Sequence, residues 1–94
     1  MQNISLTDGI FLKIEKNDHV GLIKDLSFVI SANPDSPGCA DLYKFIATSK
    51  IQLNDFVGAV EALEKTLTMK PDDNESYELK EALKILIKNP AFKD

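Results

Sequence analysis

Residues 40–73, ADLYKFIATSKIQLNDFVGAVEALEKTLTMKPDD, decide the fold. Leu42, Phe45, Ile46 and Ser49 or Leu53 recur along one side of a helix that runs to about Leu53. Asn54-Asp55 breaks that pattern, and a new one follows: Phe56, Val60, Leu63 and Leu67, with Ala59 and Ala62 as small contacts. It stops at Met69-Lys70-Pro71, because the residue before a proline is driven out of the helical region. The stretch therefore reads as two antiparallel helices joined by a tight turn.

Working outward, the same grammar covers the rest of the chain. Upstream, Ser36 is a candidate N-cap, and Pro37 suits a first helical position, where no amide partner is missed. Before it, a helix from about His19 to Ala32 carries Val20, Ile23, Leu26 and Ile30 at spacings of three or four, with Leu22, Phe28 and Val29 beside them. It ends ahead of Asn33-Pro34. Ser5-Leu6-Thr7-Asp8 offers caps for a further helix with Leu6, Ile10, Phe11 and Ile14 along it, and Leu12 widens the apolar surface. Gly9 inside that helix costs about 1 kcal/mol against Ala, which close approach of a neighbour would explain. Downstream, Asp72, Asp73 or Asn74 caps a last helix bearing Tyr77, Leu79, Leu83, Leu86 and Ile87, and Asn89-Pro90 closes it. No alternating strand pattern bounded by hairpin turns occurs. The chain is expected to be all-α, a single domain over residues 1–94 with five helices.

A duplication ties these elements together. Asn17-Asp18-His19-Val20-Gly21 returns thirty-seven residues later as Asn54-Asp55-Phe56-Val57-Gly58. At the same offset Pro34-Asp35 returns as Pro71-Asp72, Leu26 meets Leu63, and Leu6 meets Tyr43. Self-similarity at such a period is the mark of a helical repeat architecture.

The second unit resembles a tetratricopeptide repeat. That family places an aromatic early in the first helix, then Leu-Gly, a Gly-Asp-Tyr turn, an Ala, an aromatic, a second Ala and a closing Pro. Tyr43, Ile46-Ala47, Asn54-Asp55-Phe56, Ala59, Leu63, Thr66 and Pro71 stand in those roles. Lys50 departs from the family's tyrosine, and Thr66 from its second alanine. The first unit is similar at Leu6, Gly9-Ile10, Asn17-Asp18-His19, Leu22, Leu26, Val29 and Pro34. Leu22 is large where the family keeps a small residue, which would set that helix pair further apart. Pro37-Gly38-Cys39 lengthens the link between the units.

The resemblance implies a right-handed, TPR-like α-α superhelix: repeat one over 3–36, repeat two over 40–73, and a capping helix over 74–88, with Tyr77 where a third unit's early aromatic belongs. Stacked units bury more apolar surface than a lone helix pair can. In the family, the first helices of successive units line a concave groove for peptides. Mapped here, that groove comprises Ile4, Thr7, Phe11, Ile14, Lys44, Thr48, Ile51, Glu78, Ala82 and Ile85. It is an apolar trough suited to an amphipathic partner helix. Some of these residues are equally compatible with a place in the core. Members that capture acidic C-terminal tails of chaperones use a clamp of Lys, Asn and Arg. Thr7, Phe11, Lys44 and Thr48 stand at the corresponding places, so that role is not implied. In length and layout the chain is also similar to the short tetratricopeptide-like chaperones of type III secretion needle subunits.

Composition narrows the chemistry. Ninety-four residues, 44% apolar and 28% charged, describe a small globular domain burying roughly 60–65% of its unfolded surface. The net charge of −4 argues against nucleic acid or an anionic membrane as partner. All eleven basic residues are Lys, so bidentate capture of phosphate or carboxylate by Arg is absent. A single Cys suits a reducing compartment, and the N-terminal residues lack a basic region ahead of an apolar run, so neither a signal peptide nor a membrane span is expected. A cytoplasmic location follows as the expectation.

His19, the one histidine, has no Cys or carboxylate at ligand spacing and reads as a turn residue packed between helices. Cys39, without a neighbouring base, reads as an inert thiol despite its place in a first helical turn. No carboxylate pair in an apolar setting and no Gly-rich phosphate loop appears. The acids Asp72, Asp73, Glu75, Glu78 and Glu81 read either as a solvated helix start or as a docking edge for a basic partner. The expected function is thus a non-catalytic interaction module, an adaptor or chaperone without cofactor or metal. The alternative is a structural homodimer that buries the same groove against itself.

Overall fold

The computed structural model describes residues 13–14 and 16–89. Among them the chain is all-α: four helices, α1 His19–Ala32, α2 Cys39–Gln52, α3 Phe56–Met69 and α4 Asn74–Lys88, with no strand. The helix expected ahead of α1 falls outside the described residues apart from Lys13 and Ile14, which are helical. With it fall the spacing of the first helix pair and any account of Gly9.

The repeated Asn-Asp dipeptide makes the same turn twice. Asn17 and Asn54 both adopt left-handed backbone, φ 56° and 62°, a conformation that asparagine tolerates better than most side chains. Asn17 N–H donates to Ile14 O at 3.2 Å and Asp18 N–H to Lys13 O at 2.9 Å. Asn54 N–H donates to Ile51 O at 2.9 Å and Asp55 N–H to Lys50 O at 2.8 Å. Both sets have the Schellman pattern, which satisfies carbonyls left over at a helix end. The aspartate that completes it then starts the next helix. Asp18 Oδ1 accepts from Gly21 N–H at 3.0 Å, and Asp55 Oδ1 from Gly58 N–H at 2.9 Å. Two residues thus end one helix and cap another, so the chain reverses within a few residues.

The remaining boundaries follow the prolines and caps. α1 and α3 end one residue before Asn33-Pro34 and Lys70-Pro71. Asp73 caps α4, accepting from Ser76 N–H at 3.3 Å. The Ser36 expectation is corrected: α2 begins at Cys39 behind Gly38, with no side-chain cap. The Ser36 carbonyl instead closes a turn by accepting from Cys39 N–H at 2.9 Å.

Each helix packs on its neighbours in sequence, α1 on α2, α2 on α3 and α3 on α4. The core runs through the stack as Leu26 and Ile30, then Cys39, Ile46 and Ala47, then Ala59, Ala62 and Leu63, and finally Leu83. Ala47, Ala59 and Leu63 have no exposed surface. Small residues at the α2–α3 contact let the backbones approach, while each buried Leu contributes about 1.5–3 kcal/mol. Thr66, where the repeat family has alanine, is also fully buried; its hydroxyl donates to Ala40 O at 3.0 Å. That bond ties the end of α3 to the start of α2, so the two helices are antiparallel.

Several faces differ from the expected ones. Val20 and Phe28 point outward at 66% and 67% exposure, and the buried stripe of α1 is Leu22, Leu26 and Ile30. Tyr77, Phe45 and Leu53 are also exposed. Apolar character alone does not say which stripe of a helix the core will claim.

Candidate functional site

α2 presents Asp41, Phe45, Thr48 and Gln52 to solvent at intervals of four, three and four, one stripe of a helix. α4 presents Glu75, Glu78, Ala82 and Ile85 in the same way. Lys44 joins the two. Its ammonium lies 2.6 Å from Glu75 and 3.1 Å from Asp73, at the start of α4. Lys44, in the second turn of α2, is thereby tied to the start of α4; α4 follows α3 after a short turn and packs against it, so it runs back in the direction of α2.

These contacts set the local electrostatics. Hydrogen bonds first to Glu75 and then to Asp73 raise the Lys44 pKa above its ordinary value. The Lys44 ammonium, followed by the Ser76 N–H, holds the Asp73 carboxyl below its ordinary value. Asp41 pairs with Lys70 at 3.3 Å across the α2–α3 seam. Such exposed pairs contribute little stability each, but they tie down the acidic end of the face.

The far end of α2 borders a cleft of about 570 Å³. Ile14, Leu22 and Phe45 give it apolar walls, and Thr48, Ser49 and Gln52 a polar flank. Phe45 is 40% exposed there. His19 and Asn17 complete the rim at the turn before α1.

The expected groove residues distribute as follows. Ile4, Thr7 and Phe11 lie outside the described residues. Ile14 is half-buried and lines the cleft with Thr48, which is exposed and donates its hydroxyl to Lys44 O at 3.2 Å. Glu78 and Ala82 are exposed, and Ile85 is 70% exposed. Lys44 and Ile51 are half-buried in the seam: Lys44 is bound by the two acids, and Ile51 packs on the core. Phe45, Asp41 and Gln52 belong to this surface and were not anticipated. Their common periodicity with Thr48, polar at three of four positions, is the signal that places Phe45 on the open side.

Cys39 is buried, and its thiol donates to Asn33 O at 3.0 Å, which leaves it without a free approach. No group of three His, Cys, Asp or Glu side chains gathers as a metal site among the described residues. No helix among them is long and apolar enough to cross a membrane. No protein-family model matches the chain, and neither a curated protein nor a solved structure shows significant similarity to it.

Proposed function

We propose that the chain is a non-catalytic protein–protein interaction module: a small adaptor or chaperone, built as a TPR-like right-handed stack of two helix-turn-helix units and a capping helix. It holds a helix or peptide of another protein on the face shared by α2 and α4. The observation that carries this reading is Phe45, 40% exposed beside an open cleft whose other apolar walls are Ile14 and Leu22. A large apolar side chain in such a concavity is the usual anchor of an interface. The Asn-Asp turns at thirty-seven residues' distance add support, since repeated hairpins that pack in sequence order form the extended surfaces on which such modules act.

The exposure of Phe45 and Ile85 also favours a second reading, a homodimer that buries this face against itself. Light scattering separates the two. A monomer that captures another protein supports the adaptor, and a tight dimer without further partners supports self-assembly. Phe45→Asp is expected to abolish either association while circular dichroism shows unchanged helicity. Loss of helicity in that variant, or association undiminished, contradicts the placement of Phe45 on the binding face.

A further inference from the structure

Charge is unevenly distributed along the α2–α4 face. At the end where both helices start lie Asp41, Asp73, Glu75 and Glu78, against Lys44 and Lys70, a net charge of −2. The side chains of Asp41 and Glu75 are 71% and 76% exposed, and Glu78 is exposed as well. Lys44 is only 29% exposed, its ammonium held by Glu75 and Asp73. An approaching molecule therefore meets carboxylates before it meets this lysine. One turn and more along the same stripes the charges stop: Phe45, Thr48 and Gln52 on α2, Ala82 and Ile85 on α4. Lys44 draws the start of α4 to the early part of α2, so the acids of both helices gather at that end.

We propose that the occupant of this face is a charge-segregated amphipathic helix of another protein. It is apolar over the half that meets Phe45, Ala82 and Ile85, and lysine- or arginine-bearing over the half that meets Asp41, Glu75 and Glu78. The inference rests on the interaction-module reading and adds the chemistry of the partner. Complementary charge fixes which way the helix lies and speeds its capture, while the apolar half supplies most of the affinity. An acidic partner is repelled at the same end, which gives the face a means of discrimination.

Three synthetic helical peptides test this. All share one leucine stripe and differ only at polar positions confined to one end, which carry lysine, glutamine or glutamate; each is made with the charged end first and last. Affinity is measured by fluorescence anisotropy at low and high NaCl. The lysine peptide is expected to bind about tenfold more tightly than the glutamine peptide at low salt, the combined effect of a few exposed charge pairs. That advantage should vanish at high salt. Asp41→Asn with Glu78→Gln should remove it while leaving helicity unchanged. Equal binding of lysine and glutamine peptides overturns the charge segregation and leaves the groove standing, and tightest binding of the glutamate peptide does the same. A tight dimer that binds none of the three overturns the inference together with the reading beneath it, and assigns the face to a second copy.

Discussion

Thr66 and Asp73 each carry a contact that holds two helices in register. The Thr66 hydroxyl is buried and donates to Ala40 O, with a longer 3.4 Å approach to Ala62 O within its own helix. Thr66→Val keeps the shape and deletes the donor, so urea unfolding is expected to show a loss of about 1 kcal/mol, the net worth of one such bond. No loss would mean that the α2–α3 seam does not depend on it. Asp73 makes a pH-dependent contribution whose sign follows from its depressed pKa. The unfolded chain takes up a proton near the ordinary value of 3.8, and the folded chain only below it. The Asp73 contribution is therefore complete above that value and is lost as the pH falls through the lower folded pKa. The gap in melting temperature between the native chain and Asp73→Asn should be constant at neutral pH and close in strong acid. A gap that widens on acidification contradicts the Lys44–Asp73 pairing. The raised Lys44 pKa acts at the opposite limb, where its contribution is lost only above 10.5.

At the scale of the element, the Asn-Asp turns make a claim about glycine. A Cβ on Gly58 would run into Asp55 Oδ2, and one on Gly21 into Asp18 Oδ2. Gly→Ala in a helix ordinarily gains about 1 kcal/mol, but here the substituent displaces the capping carboxylate, which is worth a similar amount. Gly58→Ala alone is thus expected to leave stability nearly unchanged, while in an Asp55→Ala background it should gain about 1 kcal/mol in urea unfolding. Equal effects in the two backgrounds would show that cap and glycine are independent. The ends of these elements were legible in the sequence because they are chemical: Asn-Asp breaks at 17–18 and 54–55, a cap candidate at Asp73, and prolines at 34 and 71; that Asp18 and Asp55 also cap the helices that follow emerged only from the structure. The faces were less so. α1 is apolar on nearly every side, so Val20, Ile23, Leu26 and Ile30 formed as regular a stripe as the buried one, and only packing against α2 selects Leu22, Leu26 and Ile30. The start of α2 was misread because Ser36 offers a capping hydroxyl, yet the chain spends residues 36–38 in a turn first.

At the largest scale, the described helices pack chiefly on their sequence neighbours and leave the α2–α4 face open, and the proposed function occupies it. Thr48, Glu78, Ala82 and Ile85, which the family resemblance mapped to the groove, are exposed. Lys44 and Ile51 sit one step round the helix, where the neighbouring α4 and the core claim them. Phe45 was read along one side of its helix with Leu42 and Ile46; which part of that side stays open is decided by helix packing, which no local pattern encodes. Backbone amide shift mapping of the native chain titrated with the lysine-bearing leucine-stripe peptide tests the central claim most directly. Shifts are expected to concentrate on Asp41–Gln52 and Glu75–Ile85, with Val20 and Phe28 on the outer side of α1 unmoved. Shifts centred on Val20 and Phe28, with Phe45 and Ile85 silent, would contradict it.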